Sequence, residues 1–322
     1  MTGRRREGAA ILVADFEEVL TRLAQECGDA RVSAAISRVV ARLGAPLRVT
    51  VSGRAGVGRT TLTRVLAGAG LRIVEQTDGA DVAVVVVAEV VKPEDRSSVA
   101  RGRDAGVPVL VVCKADLTGP VPQEALRRAA GAPVVAAVAL LADLRLDDQA
   151  RDALRTLAAQ PAGGAPPLPH DDQARLVRLL GRYGIAHGVA ALRDGVDVDR
   201  LPGLLRGLGN LDAVLGQLDA LTAPARYRRV RAALTGLQAL ATGSDAVADF
   251  LAGDDAVLAA MTAAVDVVQA AGLRVDPRDD PAAHLRRAVR WRAYSRGPVS
   301  PLHRACGADI SRGSLRLFER HR

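Results

Sequence analysis

Nine residues of this sequence, Gly53-Arg54-Ala55-Gly56-Val57-Gly58-Arg59-Thr60-Thr61, have the spacing of a phosphate-binding loop, G-x-x-x-x-G-K-[ST], with Arg59 at the lysine position. In such a loop the glycines let successive backbone N–H groups turn onto phosphates. The lysine reaches the outer phosphates, and the following hydroxyl ligates Mg²⁺. Gly53, Gly56, Val57, Gly58, Arg59, Thr60 and Thr61 are therefore candidate phosphate contacts, with Thr60 the candidate metal ligand. Arg59 keeps the charge but brings a longer, planar, five-donor fork where a compact ammonium would thread between phosphates. A second charged cluster, Cys113-Lys114-Ala115-Asp116, follows the apolar run Val107 to Val112 and adds Lys114 and Asp116 as candidates.

The elements that must hold these residues can be read from the hydrophobic pattern. The loop follows the buried-strand pattern Leu47-Arg48-Val49-Thr50-Val51 and precedes a helical one, Leu62, Val65 and Leu66. Strands are expected at 47–52, 71–75, 81–88, 107–113 and near 133–139, with helices at 59–68, 93–105 and 122–130 between them. This alternation predicts a parallel α/β sheet with the glycine loop at the carboxyl end of its first strand. Residues 8–43 carry helical periodicity ahead of it. Beyond Leu144 no strand signal remains. Helices are expected at 171–182, 184–193, 199–220, 223–242, 244–252, 254–272 and 281–296, after the Pro/Gly-rich run Pro161 to Pro169. The resulting division is an N-terminal helical arm (1–45), an α/β domain (46–145), a linker (146–170) and a C-terminal helical domain with a basic tail (171–322). The helices on the two sides of the sheet domain are expected to pack as one bundle.

Composition sets further bounds. The chain has 322 residues, 49% hydrophobic and 25% charged, enough for two domains and a sizeable core. No apolar run approaches the roughly 18 residues of a membrane span, and the N-terminus does not read as a signal peptide. Cys27, Cys113 and Cys306 lie far apart with no metal-ligand spacing, and no histidine sits at ligand spacing to another. These features predict a cytoplasmic protein. Only Lys92 and Lys114 are lysines, an arginine preference typical of a high-GC genome that offers Arg59 a neutral origin.

The segment from Arg42 to Ala142 resembles the P-loop GTPases, specifically the bacterial, actinobacterial dynamin-like GTPases. The resemblance rests on Ala45-Pro46-Leu47-Arg48-Val49, the glycine loop, Cys113-Lys114-Ala115-Asp116 and Pro133-Val134-Val135, and runs more loosely through Tyr183-Gly184-Ile185 and Arg226-Tyr227-Arg228. It implies a P-loop GTPase-like domain flanked by N-terminal helices and a C-terminal bundle. It implies GTP or GDP as ligand, with Mg²⁺. In that family an [NT]-K-x-D sequence reads guanine: the Asp accepts from N1–H and N2–H, and the Lys stem lies over the base. Lys114 and Asp116 fill those positions, while Cys113 replaces the Asn.

The departures from the family carry as much as the matches. Helix 59–68 is followed at once by the next strand, which leaves no room for a first switch. The D-x-x-G position is filled by Gln76-Thr77-Asp78-Gly79, with Asp78 and Asp81 out of register. Mg²⁺ keeps Thr60 and loses two of its usual supports. The expectation is a pseudo-GTPase that binds guanine nucleotide and hydrolyses it weakly or not at all. The alternative is a non-enzymatic scaffold, a homo- or hetero-oligomer partnering an active GTPase. The tail from Pro281 carries ten arginines against Asp309 and Glu319. It admits peripheral contact with an anionic membrane, nucleic acid, or pairing with acidic residues of the same chain or a partner. Few aromatics accompany it, which disfavours nucleic acid.

Overall fold

β-branched residues decide the centre of the sheet. In the computed structural model, which describes residues 16–116, 122–159 and 168–321, the run Val82–Val87 forms β3 with all six residues buried. Such a run suits a strand covered on both faces. The other strands are β1 (Arg48–Gly53), β2 (Arg72–Ile73), β4 (Val109–Lys114) and β5 (Val134–Ala137). All pair in parallel, in the order β2-β1-β3-β4-β5. The register sets Gly53 opposite Val86, Val86 opposite Val112, and Lys114 opposite Ala137, so the carboxyl ends of four strands share one edge. Strand order reverses between β1 and β3. At such a switch point the crossover connections leave on opposite faces and open a crevice outside the carboxyl ends.

The chain divides into two units, one comprising Pro46–Leu218, the other the segment up to Ala45 with Asp219–Arg322. In the sheet unit, α3 (Arg59–Gly68), α4 (Pro93–Asp104) and α5 (Gln123–Ala130) join the strands. They are followed by α6 (Ala139–Ala142), α7 (Asp148–Ala159), α8 (His170–Arg193) and α9 (Leu201–Gly209). Leu141, Leu154, Leu176, Leu180 and Leu205 form one cluster of this unit's core. The expected division is thereby redrawn. The linker 146–170 contains α7, whose Ala150, Ala153 and Leu154 are buried, so an apolar stripe orders it. Most of the Pro/Gly run lies outside the described residues. The helical region 171–322 is split at 218/219, because α8 and α9 pack into the sheet unit's core.

The second unit is the expected bundle of N- and C-terminal helices. It holds α1 (residues 16–26), α2 (Ala30–Leu43), most of α10 (Leu211–Ala241), α11 (Asp245–Ala252), α12 (Asp254–Ala270), α13 (Pro281–Arg296) and α14 (Pro301–Arg320). Phe16, Leu20 and Ile36 pack with Tyr227, Leu237, Val267, Trp291 and Ile310. α10 passes through Pro224, where a break was expected near 221. Proline costs about 3 kcal/mol inside a helix, but the buried stripe Ala223, Tyr227, Val230, Leu234 and Leu237 outweighs it. α8 likewise bridges an expected break and kinks at Gly181 (φ 64°). α14 was not expected, because Gly307 and Gly313 interrupt its helical pattern. Here they let helices approach: a Cβ on Gly307 would lie 3.1 Å from the Trp291 carbonyl oxygen.

Four of the ten arginines of the basic tail, Arg287, Arg312, Arg316 and Arg320, are engaged within their own unit. Buried Arg287 donates to Ser314 Oγ and to the Asp276 and Arg278 carbonyls. Arg312 pairs with Asp309, and Arg316 and Arg320 with Asp254. Trp291, a candidate base-stacking residue, is buried. No helix among the described residues is long and apolar enough to cross a membrane.

One carboxylate of this bundle is held against its nature. Asp266 on α12 is pushed up to about 6, first by burial and then by Asp219, with Arg226 pulling the other way. Its folded value lies above the unfolded one, so the stability it favours is present below pH ~4 and lost as pH rises through about 6. Asp266→Asn should therefore raise stability at pH 7.5 by about 1–3 kcal/mol and have little effect at pH 4. Urea unfolding at both pH values measures this; equal effects at the two would reject it.

Candidate functional site

β1 ends in a turn that only glycine can make. Gly53 has φ 152°, and a Cβ there would lie 2.6 Å from the Val86 carbonyl oxygen of β3. Gly56 and Gly58 also take positive φ, 80° and 91°. Between them Val57 is buried and anchors the loop. Gly58 gives α3 no side-chain cap, and its first turn holds no acidic residue. The first N–H groups of a helix have no intrahelical partners and carry the positive end of its dipole, so this terminus is suited to an anion. Arg59 and Thr60 are exposed at its start and Thr61 is half-buried.

The loop is tied down by a residue outside the expected set. Arg54 Nε lies 3.2 and 3.3 Å from the two carboxylate oxygens of Asp95, which is 1% exposed. Asp95 also accepts from the Lys92 backbone N–H at 2.9 Å, capping α4. The sequence signal was present: Lys92-Pro93-Glu94-Asp95 places a proline at the first helical position and an acid at the third. Its partner could not be read without the fold.

Lys114 and Asp116 arrive from the end of β4. Lys114 Nζ is 3.5 Å from Asp116 Oδ2, while Asp116 Oδ1 is buried with no hydrogen-bond partner among the described residues. A buried carboxylate oxygen left unsatisfied costs on the order of 1–3 kcal/mol or more, which makes this atom a receptor for donors from a ligand. The neighbouring Cys113 is buried, and its thiol donates to the Ala88 carbonyl at 2.8 Å. Burial, and then the Asp116 charge, push that thiol up to about 11, so it is an unreactive structural tie.

The two motifs face one cleft. It is open to solvent and is lined by Val57, Gly58, Thr61, Lys114, Asp116 and the segment Ala137–Leu140. The third wall is fixed from behind. Val138 N–H donates to the Gly209 carbonyl at 3.1 Å, and Asn210 Nδ2 donates to the Ala136 carbonyl at 2.7 Å. Asn210 is the one non-glycine residue with positive φ (55°) among the described residues. Its side chain suits that conformation and had drawn no notice in the sequence.

The expected metal support does not assemble. β2 stops at Ile73, where Val74 N–H donates to the Val49 carbonyl, and the chain returns so that Asp81 N–H meets the Arg48 carbonyl. Gln76-Thr77-Asp78-Gly79 thus lies on the turn at the amino end of β1. Asp81 accepts from Arg48 N–H at 2.8 Å and pairs with its Nε at 3.5 Å. Neither Asp78 nor Asp81 reaches the carboxyl edge that carries Thr60. Neither of the two carboxylates offered by the sequence therefore stands beside Thr60, and the acid that follows the carboxyl end of β3 is the exposed Glu89.

A different group was brought together by the fold. Asp279, His284 and His321 offer ligand atoms within 4.8 Å of one another. Arg287 Nη2 lies 2.6 Å from His284 Nδ1, and a guanidinium can only donate. That fixes the proton of neutral His284 on Nε2, which faces Asp279 at 3.2 Å. Burial and Arg287 lower the His284 pKa, so the ring stays neutral. The Nδ1 lone pair of His284 is thus taken by Arg287, while its Nε2 is buried without a hydrogen bond among the described residues.

No protein-family model matches this chain, and neither a curated protein nor a solved structure was found to match it.

Proposed function

We propose that this protein binds guanine nucleotide in the cleft between the glycine loop and the Lys114–Asp116 turn, as a P-loop GTPase-like, dynamin-related domain with little or no hydrolysis. The observation that carries the reading is the unpartnered Asp116 Oδ1 beside Lys114, in a cleft whose far end is an uncapped helix N-terminus. Guanine offers N1–H and N2–H side by side, the two donors a carboxylate accepts in parallel. Adenine presents no such pair. The phosphates would then extend to Gly56–Thr60. Hydrolysis needs groups that orient water and stabilise the transferring phosphoryl. The short β2 leaves no described segment to supply them, so GDP and GTP act as bound ligands.

Titration of the purified chain with fluorescent GDP, ADP and inosine diphosphate tests this. GDP is expected to bind at least about 100-fold more tightly than ADP, and inosine diphosphate about 10–100-fold more weakly than GDP, having lost N2–H. Equal affinity for GDP and ADP would remove guanine from the reading. The truncated switch region also favours a scaffold role, with the GTPase-like unit docking on an active relative. Co-purification with such a GTPase at equal stoichiometry, in the absence of nucleotide binding, would select it.

A further inference from the structure

We propose that this site takes its nucleotide without a divalent cation, neutralising the phosphates with Arg59 and the α3 N-terminus, and so holds GDP and GTP alike. The inference rests on the guanine reading above and concerns the other end of the same cleft. Each carboxylate the sequence offered for Mg²⁺ is placed elsewhere. Asp78 and Asp81 sit at the amino end of β1, roughly 15 Å of strand from Gly53. Asp81 already holds Arg48. Asp95, linked to the loop through Arg54, is 1% exposed and engaged by Arg54 and the Lys92 N–H. Asp116 belongs to the base. Mg²⁺ demands near-ideal octahedral geometry and ordinarily takes one or two carboxylates besides phosphate oxygens.

The cationic side is correspondingly well supplied. α3 begins with Arg59, has no acid in its first turn and no side-chain cap. A cation at the positive end of a helix dipole is unfavourable on its own. It becomes favourable once an anion lies between the guanidinium and the N–H groups. Arg59 is exposed, and no acid in the first turn of α3 or ion pair among the described residues holds it away. A guanidinium fork binds two phosphate oxygens in parallel, which a single ammonium cannot do. The substitution that weakens the family's chemistry thus supplies the charge the metal would have brought. With β2 ended at Ile73, the segment after it turns back at the amino end of β1, and the acid that follows the carboxyl end of β3 is the exposed Glu89.

Calorimetric titration of the full chain with GDP and a non-hydrolysable GTP analogue, each in EDTA and in millimolar Mg²⁺, decides the matter. All four affinities are expected to agree within about 3-fold. Arg59→Ala should weaken both nucleotides about 10–100-fold and leave guanosine binding unchanged, and Arg59→Lys should restore part of the loss. Circular dichroism checks that the variants fold. A gain of more than about tenfold from Mg²⁺, or for the GTP analogue over GDP, overturns the proposal. If that gain disappears in Glu89→Gln, the exposed Glu89 just beyond β3 is the missing ligand, and the proposal likewise falls. Loss of preference over ADP would instead mark failure of the guanine reading itself.

Discussion

Asp116→Ala is expected to lower GDP affinity by about 10²–10⁴-fold without lowering the thermal midpoint. Two charge-assisted hydrogen bonds are lost from the complex, each worth about 1.5–3 kcal/mol. The free protein loses almost nothing, because Oδ1 has no partner and Oδ2 only a 3.5 Å contact with Lys114. Removing a buried oxygen with an unmet acceptor should even raise the midpoint slightly. Titration calorimetry and a thermal melt on the same preparations separate the two effects. A variant that keeps its affinity would show that the carboxylate does not read the base. One that melts much earlier would show that the group is a structural prop.

Asp95→Ala should act in the opposite way, destabilising the sheet unit by about 2–4 kcal/mol. The lower part of that range allows for the 25% exposure of the Arg54 side chain, since removing one partner of a fully buried pair costs about 3–5 kcal/mol. The same change removes the acceptor that caps α4 at Lys92 N–H. Because Arg54 is the second residue of the glycine loop, phosphate affinity should fall too, through loss of loop geometry. The paired change Arg54→Leu with Asp95→Leu should recover much of the stability and none of the affinity. Urea unfolding gives the first quantity and GDP titration the second. A cost below about 1 kcal/mol for Asp95→Ala would mean that Val57 and the glycines hold the loop unaided.

The sheet was legible because its strands are β-branched runs with polar punctuation. Val82–Val87 and Val109–Lys114 lie within a residue or two of where the pattern puts them. The short β2 was not legible in its length: Leu71-Arg72-Ile73-Val74 reads as a full strand, but only two residues pair, because β1 is the sole neighbour at that edge. In the helical part, periodicity found most helices and misplaced their joins. Asn210, whose αL conformation ends α9, is an ordinary polar residue in sequence, and Gly307 and Gly313, which weaken a helical pattern, are contact points between helices. At the site, the glycine loop, Lys114 and Asp116 were all visible by spacing; Val57, Gly58 and Thr61 of the loop line one cleft with Lys114 and Asp116, while Gly53, Gly56, Arg59 and Thr60 are not among its lining residues. Asp95 was invisible as a site residue because its partner is 41 residues away. The place of Asp81 followed from the turn after β2, which no motif encodes.

The hydrogen bonds from Val138 to Gly209 and from Asn210 to Ala136 have a practical consequence for anyone dissecting the chain. A fragment cut at the Pro/Gly run would carry every recognisable motif and still present the ligand with an unsupported wall. If the proposed guanine reading holds, the smallest portion expected to hold nucleotide extends to the end of the sheet unit at Leu218, so the helices after the sheet belong to the mould of that cleft.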